Sequence, residues 1–122
     1  MENRIFLNEE GLIEVHVVGD QTQESVQEMG DIIKELLAKL TKQGKPRLVL
    51  DDLKAMGDVT ADGRQRVVDL AKTLDYDKIA MVGNGNKLLR LGTNLMLQAT
   101  GRGAKLKYFD ERDKAVEWLQ TS

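Results

Sequence analysis

The stretch of sequence that decides the fold is KIAMVG, at residues 78–83. Its four apolar residues in a row, 79–82, are typical of a parallel strand that is covered on both faces, since such a strand has no side turned to solvent. Residues 79–82 are therefore predicted to form an interior strand of a sheet. The glycine that follows marks the start of a turn.

On both sides of this stretch the chain alternates between short apolar runs and helical patterns. Further strands are predicted at residues 48–50 and 106–109. Apolar residues at helical spacing predict helices at residues 22–42, at 60–73, from about 83–86 to 100, and after Asp110. Ser25 with Glu28 has the spacing of a capping box, Thr60 and Asp110 are expected N-caps, and residues 52–59 are predicted to form a loop. This alternation is typical of a mostly parallel sheet with helices packed on it.

The N-terminal part of the chain predicts a hairpin. Residues 4–7 and 12–18 form strand patterns, and the NEEG segment between them supplies Asn and Gly for a turn. The sequence therefore predicts an α/β fold as a single domain over residues 1–122. Its five-stranded mixed sheet has an antiparallel N-terminal hairpin followed by parallel strands, and four helices accompany it.

Length and composition limit the classes of function. A chain of 122 residues can bury one core without disulfides or a metal ion. With 18 basic and 20 acidic side chains interspersed, it has no electrostatic footprint for nucleic acid. No signal peptide or membrane span is expected. The absence of cysteine is compatible with a reducing compartment, so we expect a cytoplasmic protein that does not span a membrane.

Residue types that carry catalysis are scarce. The chain has one histidine, His16, which changes charge near neutral pH and is a candidate base or proton switch. We interpret it instead as a half-buried strand residue, because no nucleophile stands at a recognisable spacing. Asp51 and Asp52 with Asp58 offer oxygen ligands for a cation, but neighbouring strand residues point to opposite faces. We therefore expect no catalytic residue, cofactor or metal.

The order of elements and three motifs suggest a family. LVLD at residues 48–51, KIAMVG at 78–83, and YFDE followed by KAVEWL at 108–119 resemble the SpoIIAA-like family, which is related to STAS domains. The last motif is similar to small bacterial members that are grouped with CRAL-TRIO lipid-binding domains. The resemblance covers nearly the whole chain and implies a SpoIIAA-like fold.

The resemblance also implies a function. In anti-sigma-factor antagonists of the STAS class, a phosphoacceptor serine in a DSSG motif lies where the second helix begins. The corresponding stretch here is GDVTADG, residues 57–63, in which that motif is broken and Thr60 is the nearest hydroxyl. The resemblance thus implies a non-enzymatic regulatory module that binds a protein partner at residues 52–60 and the second helix. The expected partner-binding residues are Asp58, Thr60 and Arg64.

A second candidate site is the glycine-rich turn GNGNK at residues 83–87. A helix that follows such a turn can present backbone N–H groups to an anion, so Asn84, Asn86 and Lys87 are candidate anion-binding or ligand-binding residues. A plain turn explains the same glycines. Because loops at the carboxyl ends of parallel strands meet at one edge of the sheet, Thr60, Asn84 and Lys87 are predicted to lie near one another.

The helix predicted after this turn has more apolar surface than one core contact requires. Leu89, Met96 and Leu97 lie outside its expected core stripe. They are candidates for a homodimer face or the wall of an apolar pocket, unless the last helix with Trp118 covers part of this surface. The alternative function is therefore a carrier or sensor of a small hydrophobic or lipid ligand.

Overall fold

The centre of the structure is a mixed β-sheet with helices on both faces. The structure is a computed structural model, and it describes residues 2–83, 86 and 105–121. Within these residues the elements are, in chain order, β1 (Arg4–Leu7), β2 (Ile13–His16), β3 (Gly19–Gln21), α1 (Gln23–Lys42), β4 (Leu48–Asp52), β5 (Met56–Val59), α2 (Ala61–Thr73), β6 (Lys78–Val82), β7 (Leu106–Phe109) and α3 (Arg112–Gln120).

The main sheet has five strands in the order β1-β2-β4-β6-β7. β1 is antiparallel to β2, and every other neighbouring pair in this sheet is parallel. The predicted α/β fold with a five-stranded mixed sheet is thus confirmed. The described residues contain three helices. The helix predicted from residues 83–86 to about 100 lies outside them, so the count of four helices is not confirmed.

Alternation along the strands produces two hydrophobic cores. In β4, Val49 points to the face covered by α1 and α2, where it packs with Leu40 and Val68. The next residue, Leu50, points to the opposite face and packs with Leu119 of α3. The predicted interior strand, β6, contributes to both cores because four of its five residues are buried. Each face of the sheet is therefore covered by helices, as the apolar run predicts.

The prediction that residues 52–59 form a loop is wrong. Asp52 ends β4, and Met56–Val59 forms β5, which pairs in parallel with β3 in a separate two-stranded sheet. Neither GDQ nor MGDV alternates apolar with polar residues, so the period of two that identifies strands is missing. The strand predicted at residues 12–18 likewise ends early, at His16.

Two predicted helix caps also differ. α1 begins with a capping box between Thr22 and Ser25, and not with the expected Ser25 and Glu28 pair. The N-cap of α3 is Glu111, which makes no side-chain cap hydrogen bond. Asp110, the expected cap, instead accepts a hydrogen bond from the Tyr108 hydroxyl. Polar side chains three residues apart suggest a capping box, but the pair that forms it depends on the residue at which the helical backbone begins.

Gly57 allows β3 and β5 to approach closely, and we expect Gly57→Ala to lower the free energy of unfolding by about 1–2 kcal/mol. A Cβ atom at this position would collide with the Asp20 carboxylate and lie 3.1 Å from the Asp20 backbone nitrogen. Urea unfolding measures the loss. In an Asp20→Ala background the side-chain collision is gone but the backbone contact stays, so the added cost should shrink without vanishing. A fully stable Gly57→Ala protein would contradict this account.

Candidate functional site

The starts of α1 and α2 lie together at the edge of the main sheet where the parallel strands end. The Thr60 backbone nitrogen donates to the Gln21 carbonyl oxygen over 3.1 Å, which joins the residues just before the two helices. A Cβ atom at Gly63 would lie 3.3 Å from the Thr22 carbonyl carbon. The lack of a side chain at Gly63 therefore lets the first turn of α2 pack on the start of α1. Residues 58–64 are called the α2 edge below.

Thr60 is the exposed N-cap of α2, as predicted. Its Oγ1 accepts a hydrogen bond from the Gly63 backbone nitrogen at 3.1 Å and donates one to Asp62 Oδ1 at 2.6 Å. The hydroxyl therefore stabilises the start of the helix, on a residue that is exposed to solvent. A helix N-terminus favours negative charge, because its first N–H groups have no partner within the helix.

Asp58 and Arg64 lie beside Thr60 on the same edge. Asp58 is exposed, and its backbone nitrogen donates to Asp20 Oδ1 at 2.8 Å. Arg64 is half-buried and its Nη1 donates to the Val59 carbonyl oxygen at 2.9 Å, which holds the guanidinium against the end of β5. The three residues predicted to bind a partner thus share one surface on ordered backbone.

The other candidate residues fall mostly beyond what the structure describes. Asn84, Lys87, Leu89, Met96 and Leu97 lie outside the described residues, so the predicted proximity of Thr60 to the glycine-rich turn stays a prediction. Asn86 is described and is exposed.

On the α3 face of the sheet lies a group of polar side chains that the sequence analysis did not find as a group. It consists of Asn8, Glu14, His16, Asp52 and Arg112 and is called the Glu14 cluster below. Glu14 is buried, and its Oε1 accepts from Arg112 Nη2 at 2.6 Å and from Asn8 Nδ2 at 2.8 Å. His16 Nε2 lies 2.8 Å from Glu14 Oε2, and His16 Nδ1 lies 3.5 Å from Asp52 Oδ2. His16 is half-buried, as predicted.

The Glu14 cluster keeps its central carboxylate charged. Burial by itself raises the pKa of Glu14, but the hydrogen bonds from Arg112, Asn8 and His16 outweigh burial and hold the pKa at about 2. No group of three or more His, Asp or Glu side chains within the described residues is arranged to hold a metal ion. A glutamate between two apolar residues of a strand is a signal that a partner exists. This pattern does not identify the partner as Arg112, which is 98 positions away in the chain.

A cavity of about 90 Å³ lies on the other face of the sheet, beneath α1 and α2. It is called the α1–α2 cavity below. Aliphatic and methionine side chains form most of its wall, and Gln21 and Asp51 are the polar residues among the described lining residues. Burial, together with the nearby charge of Asp52, raises the pKa of Asp51 to about 7. The expectation that the two aspartates point to opposite faces is correct, since Asp51 lines this cavity and Asp52 faces His16.

Comparison with known proteins gives one family. A family model described as SpoIIAA-like matches residues 12–120. A search of curated proteins finds no match. None of the helices in the described part of the chain has the length and apolar character needed to cross a membrane.

Solved structures share the fold at low identity. An uncharacterized protein with a SpoIIAA-like fold from Shewanella loihica is 19% identical with a TM-score of 0.64, over 96% of this chain and 91% of that chain. An anti-sigma factor antagonist from Mycobacterium paratuberculosis is 16% identical with a TM-score of 0.66, over 98% and 93%. The anti-sigma factor antagonist SpoIIAA, in its unphosphorylated form, is 10% identical with a TM-score of 0.61, over 98% and 99%. These likenesses establish the fold alone.

Proposed function

The chain belongs to the SpoIIAA-like family, and from this membership we propose that it is a non-enzymatic regulatory module that binds a protein partner through residues 52–60 and α2. Two of the solved structures that share its fold are anti-sigma factor antagonists, proteins whose name states that they act against another regulatory protein. We propose further that the chain acts as a single domain in the cytoplasm.

The observation that supports this site is the exposed N-cap residue Thr60 at the start of α2. Exposed polar groups that are held on ordered backbone suit recognition, because little conformational entropy is lost when a partner binds. Asp58 and Arg64 add one charge of each sign beside Thr60. The α2 edge therefore has the mixed polar character of the rim of a protein interface.

We expect Thr60→Glu to weaken partner binding by at least about tenfold while changing the melting temperature by no more than about 2 °C. The new carboxylate lies at a helix N-terminus, where the macrodipole offsets the loss of the hydroxyl cap, but it adds negative charge to the proposed interface. The partner is captured by crosslinking in the source cells, and its affinity is then measured by calorimetry.

Two control variants accompany this experiment. Thr60→Ser keeps a hydroxyl at the N-cap and should retain binding. Gln43→Glu adds the same charge at the C-cap of α1, at the opposite edge of the sheet, and should also retain binding. A Thr60→Glu protein that is strongly destabilised but still binds the partner would contradict the proposed site.

A second candidate function is the binding of a small hydrophobic ligand, as a carrier or a sensor. The α1–α2 cavity supports it, because its wall is almost wholly apolar. An engineered cavity of about 150 Å³ holds benzene. A cavity of about 90 Å³ therefore suits a smaller molecule or one end of a longer chain.

For this second candidate we expect a native mass spectrum of the purified protein to show a mass added to that of the chain, and denaturation to remove it. The added mass is expected for a longer chain with one end in the cavity, because only a ligand with extensive contacts dissociates slowly enough to survive purification. The same spectrum reports whether the protein is a homodimer. A spectrum with the bare mass of the chain alone would contradict a carrier function.

A further inference from the structure

Asp51 occupies a position where the sheet is otherwise apolar. It is the fourth residue of β4, and its partners in the neighbouring strands are Val15 of β2 and Met81 of β6. Both neighbours are 2% exposed. Alternation places Asp51 on the same face as Val49, beneath α1 and α2. A carboxyl group therefore lies among the apolar residues of this face, on a half-buried residue.

One oxygen of this carboxyl group is unsatisfied. Asp51 Oδ1 is fully buried and has no hydrogen-bond partner among the residues that the structure describes. A buried polar atom without a partner destabilises a protein, and an aliphatic side chain of similar volume would avoid that cost. Asp51 lines the α1–α2 cavity and is only partly buried as a residue, so its carboxyl group can meet a hydrogen-bond donor that the chain does not supply.

Gln21, the other polar residue described in the cavity wall, is already satisfied. Its Nε2 donates to Asn3 Oδ1 and to the carbonyl oxygens of Val18 and Gly19, while its Oε1 accepts from Asn3 and Ser25. Gln21 therefore has little capacity left for a ligand. Any polar recognition within the cavity falls to Asp51.

We propose that the α1–α2 cavity binds a small amphipathic molecule, whose apolar body fills the space between the helices and the sheet and whose hydrogen-bond donor pairs with the carboxyl group of Asp51. This inference rests on the second candidate function and names its ligand class. The apolar wall excludes strongly hydrated molecules, and the Asp51 carboxyl group selects a ligand with a hydrogen-bond donor. Short aliphatic alcohols and amines have this chemistry.

The electrostatics of Asp51 agree with such a ligand. Because the pKa of Asp51 is raised to about 7, its carboxyl group is largely neutral in mildly acidic solution. A neutral carboxyl group can accept a hydrogen bond from an alcohol without burying a net charge. An amine would instead bind as an ammonium ion paired with the carboxylate, so its affinity should rise as the pH passes 7. The pH profile thus distinguishes the two donors.

The test compares two probes of equal size, n-butanol and n-pentane, by NMR titration of the full chain. We expect n-butanol to shift the signals of cavity residues saturably. In Asp51→Leu we expect n-butanol affinity to fall at least tenfold while n-pentane affinity is kept. Asp51→Asn keeps an oxygen acceptor and should still bind n-butanol. An n-butylamine titration at pH 6 and pH 8 identifies the preferred donor.

Each result decides between the inference and the function on which it rests. If Asp51→Leu changes neither the n-butanol nor the n-pentane affinity, the inference is wrong but a hydrophobic ligand site remains. If neither probe shifts any cavity residue in the unmodified protein, both are wrong. Circular dichroism shows whether Asp51→Leu is folded. If it is not, n-butanol binding by Asp51→Asn still tests the inference.

Discussion

Asp51→Asn should raise the free energy of unfolding by roughly 3 kcal/mol at pH 8.5, an unusual gain for the loss of a charged group. The reason is the position of the carboxyl group in a hydrophobic core, where burial raises its pKa from 3.8 to about 7. Each pKa unit between the folded and unfolded states corresponds to about 1.4 kcal/mol. Asparagine has no charge to bury, although its amide brings two donors that also need partners.

The sign of this effect depends on pH. A folded-state pKa above the unfolded value means that the contribution of Asp51 to stability is fully present below pH 3.8 and is lost as the pH rises through about 7. The difference between Asp51→Asn and the unmodified protein should therefore be small near pH 4 and largest above pH 7. Urea unfolding across this range measures it, with Asp31→Asn on the exposed face of α1 as the control. A gain of equal size at every pH would show that charge is not the cause.

Glu14→Gln should have the opposite effect and lower the free energy of unfolding by about 3 kcal/mol at pH 7. Glu14 is buried, and Arg112, Asn8 and His16 supply it with hydrogen bonds that lower its pKa from 4.5 to about 2. Glutamine keeps the shape of the side chain but cannot form the charge-assisted bond with Arg112.

The pH dependence of this loss identifies its origin. A folded-state pKa below the unfolded value means that the contribution of Glu14 is present above pH 4.5 and is lost as the pH falls toward about 2. The stability gap between the unmodified protein and Glu14→Gln should therefore close between pH 5 and pH 2. Glu9→Gln, which changes an exposed carboxylate of the hairpin turn, should leave no such gap. A gap that persists at pH 2 would point to packing as its source.

The two carboxylates show why sequence alone predicts the fold better than the site. The faces to which Val49 and Leu50 point can be predicted from alternation along β4, and the apolar run of β6 predicts an interior strand. Both predictions use only residues that are close together in the chain. β3 and β5 carry no such pattern and are found only in three dimensions. That Glu14 is paired whereas Asp51 Oδ1 is not depends on Arg112 and on the space under α1 and α2, which no local pattern encodes.

The proposed docking surface was predictable for a different reason. Asp58, Thr60 and Arg64 are neighbours in sequence, so a correct helix start was enough to place them on one edge. The cavity required the packing of both helices on the sheet, where Gly30 of α1 faces Leu70 of α2. The lack of a partner for Asp51 Oδ1 among the described residues follows from the same packing and has no signal in the local sequence.

The distance in sequence between Glu14 and Arg112 has a consequence for the order in which the protein forms. Strands of the main sheet are added in chain order, so β2, β4 and β6 can pair during synthesis before residue 112 leaves the ribosome. A contact that spans 98 positions closes a long loop and is expected to form after the rate-limiting step of folding. Arg112 would then govern how slowly the finished protein unfolds, and hardly affect how quickly it folds.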